Sequence, residues 1–430
     1  MAALILLLGS RELAAQIVNE QDELDFGRLS LAVGSGARAL GMGGAFLARP
    51  DDATAASWNP AGLSYLRMPE VSLVGVSNTQ DWTTRDAVGA ASRMEHTRGK
   101  TPDFLSLAVP LSIGPTAGAV QLSFQRVIPY SGDRTIDQFD DPRRRHVVTA
   151  SGGFDVLALS TGLKLATWLR AGVSVNHWMN GFTQHRERLL ARRSLQEADF
   201  RISGWNANAG LIVHPHESVN VGVVAKTYTA GSVRLSRSRT DFVTNPSAPD
   251  TVTRNAYSSE AVRLDLPGAV GFGASWRASS QLTMSGDYTR TFWSRSRIRN
   301  YFTLPATPEN SALPPAPTVF PTLPFPNVVG EAQSDTQELR VGIEYVLISG
   351  RLKLPLRAGY VREKQYRLQP DGSIPSLDGV TAGAGVVLGP VLLDAAYVYQ
   401  WGDFGPPEAR DTVRLHRVLV SLIYRHGSGF

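Results

Sequence analysis

The chain has 430 residues, with 43 Lys and Arg against 38 Asp and Glu, no cysteine and a formal net charge of +5. A hydrophobic content of 43% excludes a disordered chain, and a net charge this dilute gives no support to nucleic-acid binding. The lack of cysteine removes disulfides, thiolate metal sites and cysteine nucleophiles. Beyond the first residues the sequence has no apolar run of about 18 residues, so a helical membrane protein is not expected.

The N-terminus is typical of an export signal. The short apolar run Ala2–Leu8 is followed by Leu13-Ala14-Ala15 before Gln16, a pattern like a small-residue cleavage site. The positively charged start of such a signal is missing, and the alternative is a frayed apolar terminus. We expect residues 1–15 to be a signal peptide and the mature chain to lie in the periplasm, the outer membrane or the medium.

The segment that follows is rich in glycine and alanine. It reads GSGARALGMGGAF at 34–46, DDATA at 51–55 and WNPAGL at 58–63. Its start, Gly34-x-Gly36-x-x-Ala39, resembles a dinucleotide fingerprint, but that motif needs a strand–helix–strand unit, and Pro50 and Asn59-Pro60 interrupt this region. Glycine permits close backbone approach, so the composition favours a compact plug. A turn that only closes into the first strand is an equal alternative for Asn59, Pro60 and Ala61.

From about Glu70 onward the sequence alternates between apolar and polar residues with a period of two, which predicts β-strands. The stretch Ala171–Asn180 shows the pattern, with Ala171, Val173 and Val175 on one face. We count about fourteen such segments. Their approximate centres are Leu73, Leu107, Leu122, Ala158, Val175, Ala209, Val223, Phe272, Met284, Ile343, Leu356, Ala384, Ala395 and Val420.

The connections between these segments alternate between short and long. Short turns are predicted at Ser112–Pro115, Ala166–Trp168, Pro215–Ser218, Ala278–Ser280, Ser349–Gly350 and Gly389–Pro390. Long polar loops are predicted at Asn78–Pro102, Arg126–Arg145, Gln184–Ala198, Ser232–Glu260, Ser294–Asp335, Arg362–Asp378 and Trp401–Asp411. An outer-membrane barrel has this alternation and an even number of strands. The alternative is a large soluble all-β enzyme.

The two faces of the predicted strands support a membrane barrel. One face is apolar with scattered Tyr and Trp, and the other is polar with charges of both signs. The charged residues on the polar face are Lys226, Arg277, Asp287, Arg340, Glu344, Arg357 and Asp394. In a membrane barrel the apolar face contacts lipid and the polar face lines the lumen.

The last predicted strand is similar to the signal by which the outer-membrane assembly machinery recognises its clients. Val418, Val420, Leu422, Tyr424 and the terminal Phe430 share one parity. We expect Tyr424 and Phe430 to act as this assembly signal, although the run 426–429 dilutes it.

Other candidate sites are weaker. His214-Pro215-His216-Glu217 has two imidazoles in a predicted turn, which is not a full ligand set, so no metal site is predicted. Arg143–His146 and the cluster Arg234, Arg237 and Arg239 suit lipopolysaccharide phosphates or a solvated loop. The stretch Ser311–Pro326 is a candidate ligand-entry loop, or a cap over the barrel mouth or a contact with a partner. Its apolar residues are Leu313, Val319, Phe320, Leu323 and Phe325.

The glycine-rich block resembles the N-terminal hatch of outer-membrane hydrophobe transporters of the FadL/TodX type and of their PorV-like relatives. The matching positions are Gly41, Gly43 and Ala45, then Asp51, Asp52 and Ala53, then Asn59, Pro60 and Ala61. The form of the motif is closer to the PorV-like branch. The resemblance implies a fourteen-stranded barrel plugged by a hatch. The residues that it implies in hatch gating are Gly41, Gly43, Ala45, Asp51, Asp52, Asn59, Pro60 and Ala61.

These observations together predict an all-β protein, a fourteen-stranded antiparallel transmembrane β-barrel of the outer membrane with a hatch at 16–68 and the barrel at 69–430. By resemblance, it takes up hydrophobic compounds passively, of the fatty-acid or aromatic-hydrocarbon type. The alternative is a PorV-like interaction subunit of a secretion or surface assembly. No catalytic motif is present, so no enzyme and no cofactor are expected. Expected partners are outer-membrane lipids and lipopolysaccharide, a hydrophobic small molecule, the assembly machinery and another envelope protein, but not nucleic acid.

Overall fold

The computed structural model describes residues 34–86, 91–114, 116–129, 132–138, 145–189, 193–245, 248–295, 297–299, 323–324, 334–350, 352–365, 374–405 and 409–427. The predicted signal peptide, the first part of the predicted hatch and Phe430 lie outside these residues. So do Leu313, Val319, Phe320 and Phe325 of the predicted entry loop. Within the described part of the chain, no helix is long and apolar enough to cross a membrane.

Three short helices lie in the segment 34–68, which we call the hatch. They are α1 (Ala37–Gly41), α2 (Ala55–Trp58) and a 3₁₀ helix (Pro60–Tyr65). Helices of four to six residues are too short to be stable alone. The hatch is instead buried inside the barrel, and Ala37, Phe46, Trp58 and Asn59 are each at most 1% exposed.

Apart from a 3₁₀ helix of three residues (Trp293–Arg295), all other elements of the described residues are strands of one closed antiparallel sheet. They are β1 (Glu70–Asp86), β2 (Ala91–Ile113), β3 (Thr116–Pro129), β4 (Gly132–Gln138), β5 (Arg145–Lys164), β6 (Leu169–Met179), β7 (Gly181–Leu189), β8 (Arg193–His216), β9 (Val219–Lys226), β10 (Thr229–Asn245), β11 (Ala248–Leu266), β12 (Ala269–Arg277), β13 (Leu282–Thr291), β14 (Arg297–Arg299), β15 (Leu323–Pro324), β16 (Thr336–Ser349), β17 (Leu352–Lys364), β18 (Ser376–Leu388), β19 (Val391–Phe404) and β20 (Ala409–Arg425).

These segments form fourteen barrel strands, as predicted. Five barrel strands are each broken into two segments, β3/β4, β6/β7, β9/β10, β11/β12 and β13/β14, and the two-residue β15 pairs with β14. Strand β1 pairs with both β2 and β20, and this pairing closes the barrel. Each centre predicted from the sequence falls on a different barrel strand.

The barrel is apolar outside and polar inside. Leu159 is 59% exposed on the outer face, whereas Asp287, Arg340 and Glu344 are at most 4% exposed on the inner face. Exposed aromatic residues flank the apolar band at two levels. Trp168, Trp276, Tyr345 and Tyr424 lie at the end with the short turns (the turn end), and Trp205, Tyr288, Tyr360 and Tyr397 lie toward the other end (the loop end). Such girdles are typical of membrane barrels.

The prediction of long polar loops was wrong for three stretches of the chain. Most of the stretches Asn78–Pro102, Gln184–Ala198 and Ser232–Glu260 belong to paired strands, and Ser232 to Thr240 pair without interruption with Arg263 to Asn255. These strand extensions could not be recognised from the sequence. Beyond the membrane both faces of a strand contact water, so its residues do not alternate between apolar and polar. The backbone pairs regardless of side-chain polarity.

Candidate functional site

The hatch is organised around the indole of Trp58. Its Nε1 donates to the carbonyl of Ser35 at 2.7 Å, and its ring packs edge-on against Phe46 with centroids 6.1 Å apart. A Cβ at Gly34 would lie 2.4 Å from the indole, so only glycine fits there. The tryptophan therefore joins the first and last parts of the glycine-rich segment.

Asn59 joins the hatch to the wall. Its Nδ2 donates to the carbonyl of Leu47 at 2.9 Å and contacts the carbonyls of Leu211 and Val223 at 3.2 and 3.4 Å. Its Oδ1 accepts from the amide of Ala61 at 3.1 Å and so caps the 3₁₀ helix. Asn59 therefore closes the turn before the 3₁₀ helix and also contacts two barrel strands.

A row of wall glycines receives this turn. Gly162, Gly172 and Gly210 lie directly opposite one another on β5, β6 and β8. A Cβ on them would fall 2.4, 2.3 and 1.9 Å from atoms of Pro60 and Asn59. The backbones of hatch and wall therefore meet without intervening side chains. No role for these glycines is expected from the sequence, where the available signal is their place on the polar face of the strands.

A second backbone contact holds Gly43 between β16 and β17. A Cβ there would lie 2.8 Å from the carbonyl oxygen of Tyr360 and 2.9 Å from that of Val341. The amide of Gly43 donates to Thr381 Oγ1 at 2.9 Å, and the same hydroxyl donates to the carbonyl of Gly41 at 2.9 Å. The motif glycines thus occupy positions that leave no room for a side chain.

An ion network also fastens the hatch to the wall. Arg38 donates to both carboxylate oxygens of Glu344, at 3.1 and 3.2 Å, and to Asp51 at 2.6 Å. Glu344 also accepts from Arg357, which contacts Asp394 at 2.6 Å. Bidentate arginine pairs fix geometry as well as charge. Glu344, one of the predicted lumen charges, is therefore an ionic partner of the hatch.

The two aspartates of the motif differ in environment. Burial alone raises the pKa of Asp51, but the guanidinium groups of Arg38 and Arg49 outweigh burial and lower it. Burial raises the pKa of Asp52 against the opposing effect of Arg38. One oxygen of Asp52 accepts from the amide and hydroxyl of Thr54 at 2.8 and 2.6 Å. Asp51 is thus an ionic contact, and Asp52 orders the turn before α2.

On the loop-end side of the hatch, the lumen contains a cavity of about 90 Å³. Apolar, amide and hydroxyl side chains line it together with Lys226, and they include Val156, Trp178, Asn206 and Thr229. Farther toward the loop end the lumen is filled by buried aromatic residues, with Phe182 stacked on Phe200 at 4.3 Å and close to Phe154.

Within the described residues, the strand pairing of the barrel wall is interrupted beside this cavity. The ladder between β2 and the next barrel strand ends at the pair Phe104 and Gln125 and resumes at Arg98 and Asp133. Within the described residues, 99–103 of β2 have no partner on β3 or β4. We call this interruption the seam. The cavity reaches it at Gln125 and Val127.

A hatch residue lies in the seam. The hydroxyl of Ser35 donates to the carboxylate of Asp103, which is the extra residue of a β-bulge against β1. On the opposite side, Arg126 forms a bidentate pair with the fully buried Asp155 at 2.8 and 3.1 Å. Asn180, with φ of 65°, donates to the same carboxylate at 2.8 Å. The sequence analysis assigned no role to these residues.

The remaining predicted residues do not join this site. Ala45 lies fully buried within the hatch. Tyr424 lies on the outer face near the end of β20, and the backbone of Leu323 pairs with Ile298. His214 is not a solvated turn residue, because it lies in β8 and contacts the hydroxyl of Tyr65 at 3.2 Å and Asn220 at 2.8 Å. No group of residues suited to a metal ion occurs in the described part of the chain.

A closed barrel with an internal hatch defines the class as a plugged outer-membrane-type β-barrel. The family model described as BamG matches residues 30–310, and the chain belongs to the BamG family. A comparison with curated proteins finds no match.

Solved structures share the fold along the whole chain. A FadL homologue of Pseudomonas aeruginosa has a TM-score of 0.64 at 14% identity, with 92% of this chain and 99% of that chain covered. The toluene transporter TodX of P. putida gives 0.63 at 13% identity, with 93% and 100% covered. The toluene transporter TbuX of Ralstonia pickettii gives 0.60 at 16%, with 91% and 98% covered. At these identities the likeness establishes the fold.

Proposed function

We propose that this protein resides in the outer membrane and lets hydrophobic compounds, of the fatty-acid or aromatic-hydrocarbon type, cross it passively. In this proposal the turn end faces the periplasm, as short turns do in outer-membrane barrels. The hatch is the gate. The observation that carries the proposal is the seam, where the luminal cavity, the interrupted ladder and Ser35 of the hatch meet.

The seam supports a route through the barrel wall, because the lumen at the hatch is a poor path for apolar solutes. The ion network of Arg38 and Glu344 fills the lumen at the level of the hatch. An apolar solute would have to displace these charges to pass straight through, at the cost of leaving them buried and unpaired. A route from the cavity through the seam into the membrane avoids them.

An engineered disulfide tests the gate. The chain has no cysteine, so Ser35→Cys with Asp103→Cys would introduce a single disulfide that ties the hatch to the β2 edge of the seam. Uptake of the fluorescent hydrophobe N-phenyl-1-naphthylamine is measured in Gram-negative cells that make the protein. We expect uptake above that of cells without the protein, a several-fold loss when the pair is oxidised, and recovery on reduction.

The two single-cysteine variants serve as controls and should respond to neither oxidation nor reduction. Mass spectrometry confirms that the disulfide has formed. Equal uptake by the oxidised and reduced pair would contradict gating at the seam. Uptake no greater than in cells without the protein would contradict transport of this class of compound.

The alternative role as an interaction subunit makes a different prediction. Native mass spectrometry of the protein, gently extracted from its own outer membrane, would then find a stoichiometric protein partner. A monomer that carries small hydrophobic adducts is expected for a transporter.

A further inference from the structure

The turn end of the lumen carries a set of cations that the uptake proposal does not use. We call Arg67, Lys164, Arg170 and Arg277 the cationic arc. Lys164 ends β5, Arg170 lies at the start of β6 and Arg277 ends β12, while Arg67 follows the 3₁₀ helix of the hatch. The strand residues share the inward parity of the buried lumen residues, and Arg67 and Arg277 are exposed at the mouth.

Two of these cations are held against each other. Lys164 and Arg170 are directly opposite in the antiparallel pair β5–β6. Like charges in that position are destabilising unless an anion compensates them. The third cation adds to this, since Arg67 lies close enough to act electrostatically on Arg170. The arrangement is therefore one that gains stability from a bound anion.

The protein supplies little compensation of its own. Within the described residues, no ion pair joins any of the four cations to a carboxylate, and Arg277 donates instead to the backbone carbonyl of Glu217 at 3.1 Å. Glu217 is the exposed carboxylate of the neighbouring turn, so the arc with this residue has a net charge of +3.

Arg170 connects the arc to the hatch. Its guanidinium donates to the carbonyl and hydroxyl oxygens of Ser64 at 3.1 and 3.2 Å and lies 4.1 Å from the ring centroid of Tyr65. Both are hatch residues at the end of the 3₁₀ helix. Arg170 is 8% exposed and its Nε also donates to His214 at 3.0 Å, so an anion bound at Lys164 would act electrostatically on the side chain that holds this end of the hatch.

The position and length of the arc indicate which class of anion it can bind. Lipid headgroups surround the outer face of a membrane barrel, whereas these side chains face the lumen. From β5 to β12 there are four strand spacings, or roughly 20 Å. This length exceeds one small anion but matches about six residues of extended polypeptide.

We propose that the cationic arc is a docking site for an acidic segment of a periplasmic protein. The proposal rests on the orientation given above, with the turn end in the periplasm. Such a segment binds across β5, β6 and β12 and acts electrostatically on the hatch through Arg170.

The test measures binding of fluorescent hexaglutamate to the purified protein in detergent. We expect binding at low salt that weakens strongly between 25 and 300 mM salt, because several charges are neutralised. We expect Lys164→Glu with Arg277→Glu to reduce the affinity at least tenfold. Arg234→Glu with Arg410→Glu, at exposed loop-end positions, makes the same change in net charge and should leave affinity within twofold.

Heat-modifiability on gels verifies that each variant is folded, and Lys164→Gln with Arg277→Gln replaces the reversal variant if it does not fold. Hexaglutamate that fails to bind at low salt, or binds both pairs of variants equally, overturns the proposal. The proposal is also overturned if the arc variant loses co-purified anionic phospholipid but still binds hexaglutamate, because the arc would then bind lipid. Naphthylamine uptake tests the gate, and hexaglutamate binding tests the cationic arc. A failure of the docking proposal can therefore be distinguished from a failure of the transport proposal.

Discussion

Arg38 and Asp51 show how single residues decide whether the hatch is docked. Arg38 contacts the wall through Glu344 and the hatch through Asp51, so one guanidinium neutralises charges on both bodies. Removal of Glu344 would take from Arg38 and Arg357 the buried carboxylate that they share, which is costly. Asn59 completes the docking with bonds to the carbonyls of two strands, and these do not depend on pH.

Hatch docking should weaken at acidic pH through Asp51. Arg38 and Arg49 lower its pKa in the docked state despite burial, whereas a free aspartate has a pKa of about 3.9. A group whose pKa is lowered on docking contributes stability that is present above the free value and is lost as pH falls through the docked value. We expect the contribution to be complete above about pH 5 and to fall below about pH 4.

Hydrogen exchange of α1 and α2, corrected for intrinsic rates, measures this dependence. Asp51→Asn should reduce hatch protection at pH 7 by about 1–3 kcal/mol, the value of a hydrogen bond to a charged group, and should remove its share of the acid loss. Asp52 acts in the opposite direction because burial raises its pKa. An unchanged acid slope in Asp51→Asn would refute the role of this carboxylate.

At the scale of elements, the hatch helices take their structure from the wall. Their four to six residues would not fold alone. The row of Gly162, Gly172 and Gly210 lets the turn at Asn59-Pro60 approach to backbone contact. The motif in the hatch and the glycines in three strands are therefore two halves of one contact.

Gly172→Ala should separate the two halves. Its Cβ would lie 2.3 Å from Pro60, in place of a normal contact, and the hatch would have to shift. We expect faster hydrogen exchange across the 3₁₀ helix with little change in the barrel strands. Gly75→Ala is the matched control, because a Cβ at this strand glycine meets nothing within 4 Å. Equal exchange in the two variants would mean that the close approach is unimportant.

At the scale of the whole molecule, the barrel is inverted relative to a soluble protein. Leu73, Leu159 and Val420 are at least half exposed, while Asp287, Arg340 and Glu344 are nearly inaccessible. This arrangement is stable only if hydrocarbon covers the outside. The strands that extend past the apolar band toward the loop end are polar because water covers them on both faces.

Leu159→Arg tests this inversion. A cation near the middle of the apolar band should lower the free energy of unfolding by about 2–4 kcal/mol. Urea titration in lipid vesicles measures this change. Val147→Arg, on the same strand toward the loop end, should cost nearly nothing. A similar cost for both variants would contradict the assignment of the band.

The sequence by itself determined the strand number, the position of the short turns and the inverted faces. Alternation with a period of two is a local property, and Leu159 or Val420 reports its face through its immediate neighbours. Only the tertiary structure decided the strand lengths, the seam and the docking of the hatch. Asn59 meets Gly210, and Arg38 meets Glu344, across more than 150 residues of chain. Such pairings depend on barrel closure and register, because a local pattern carries no information about which distant strand faces the hatch.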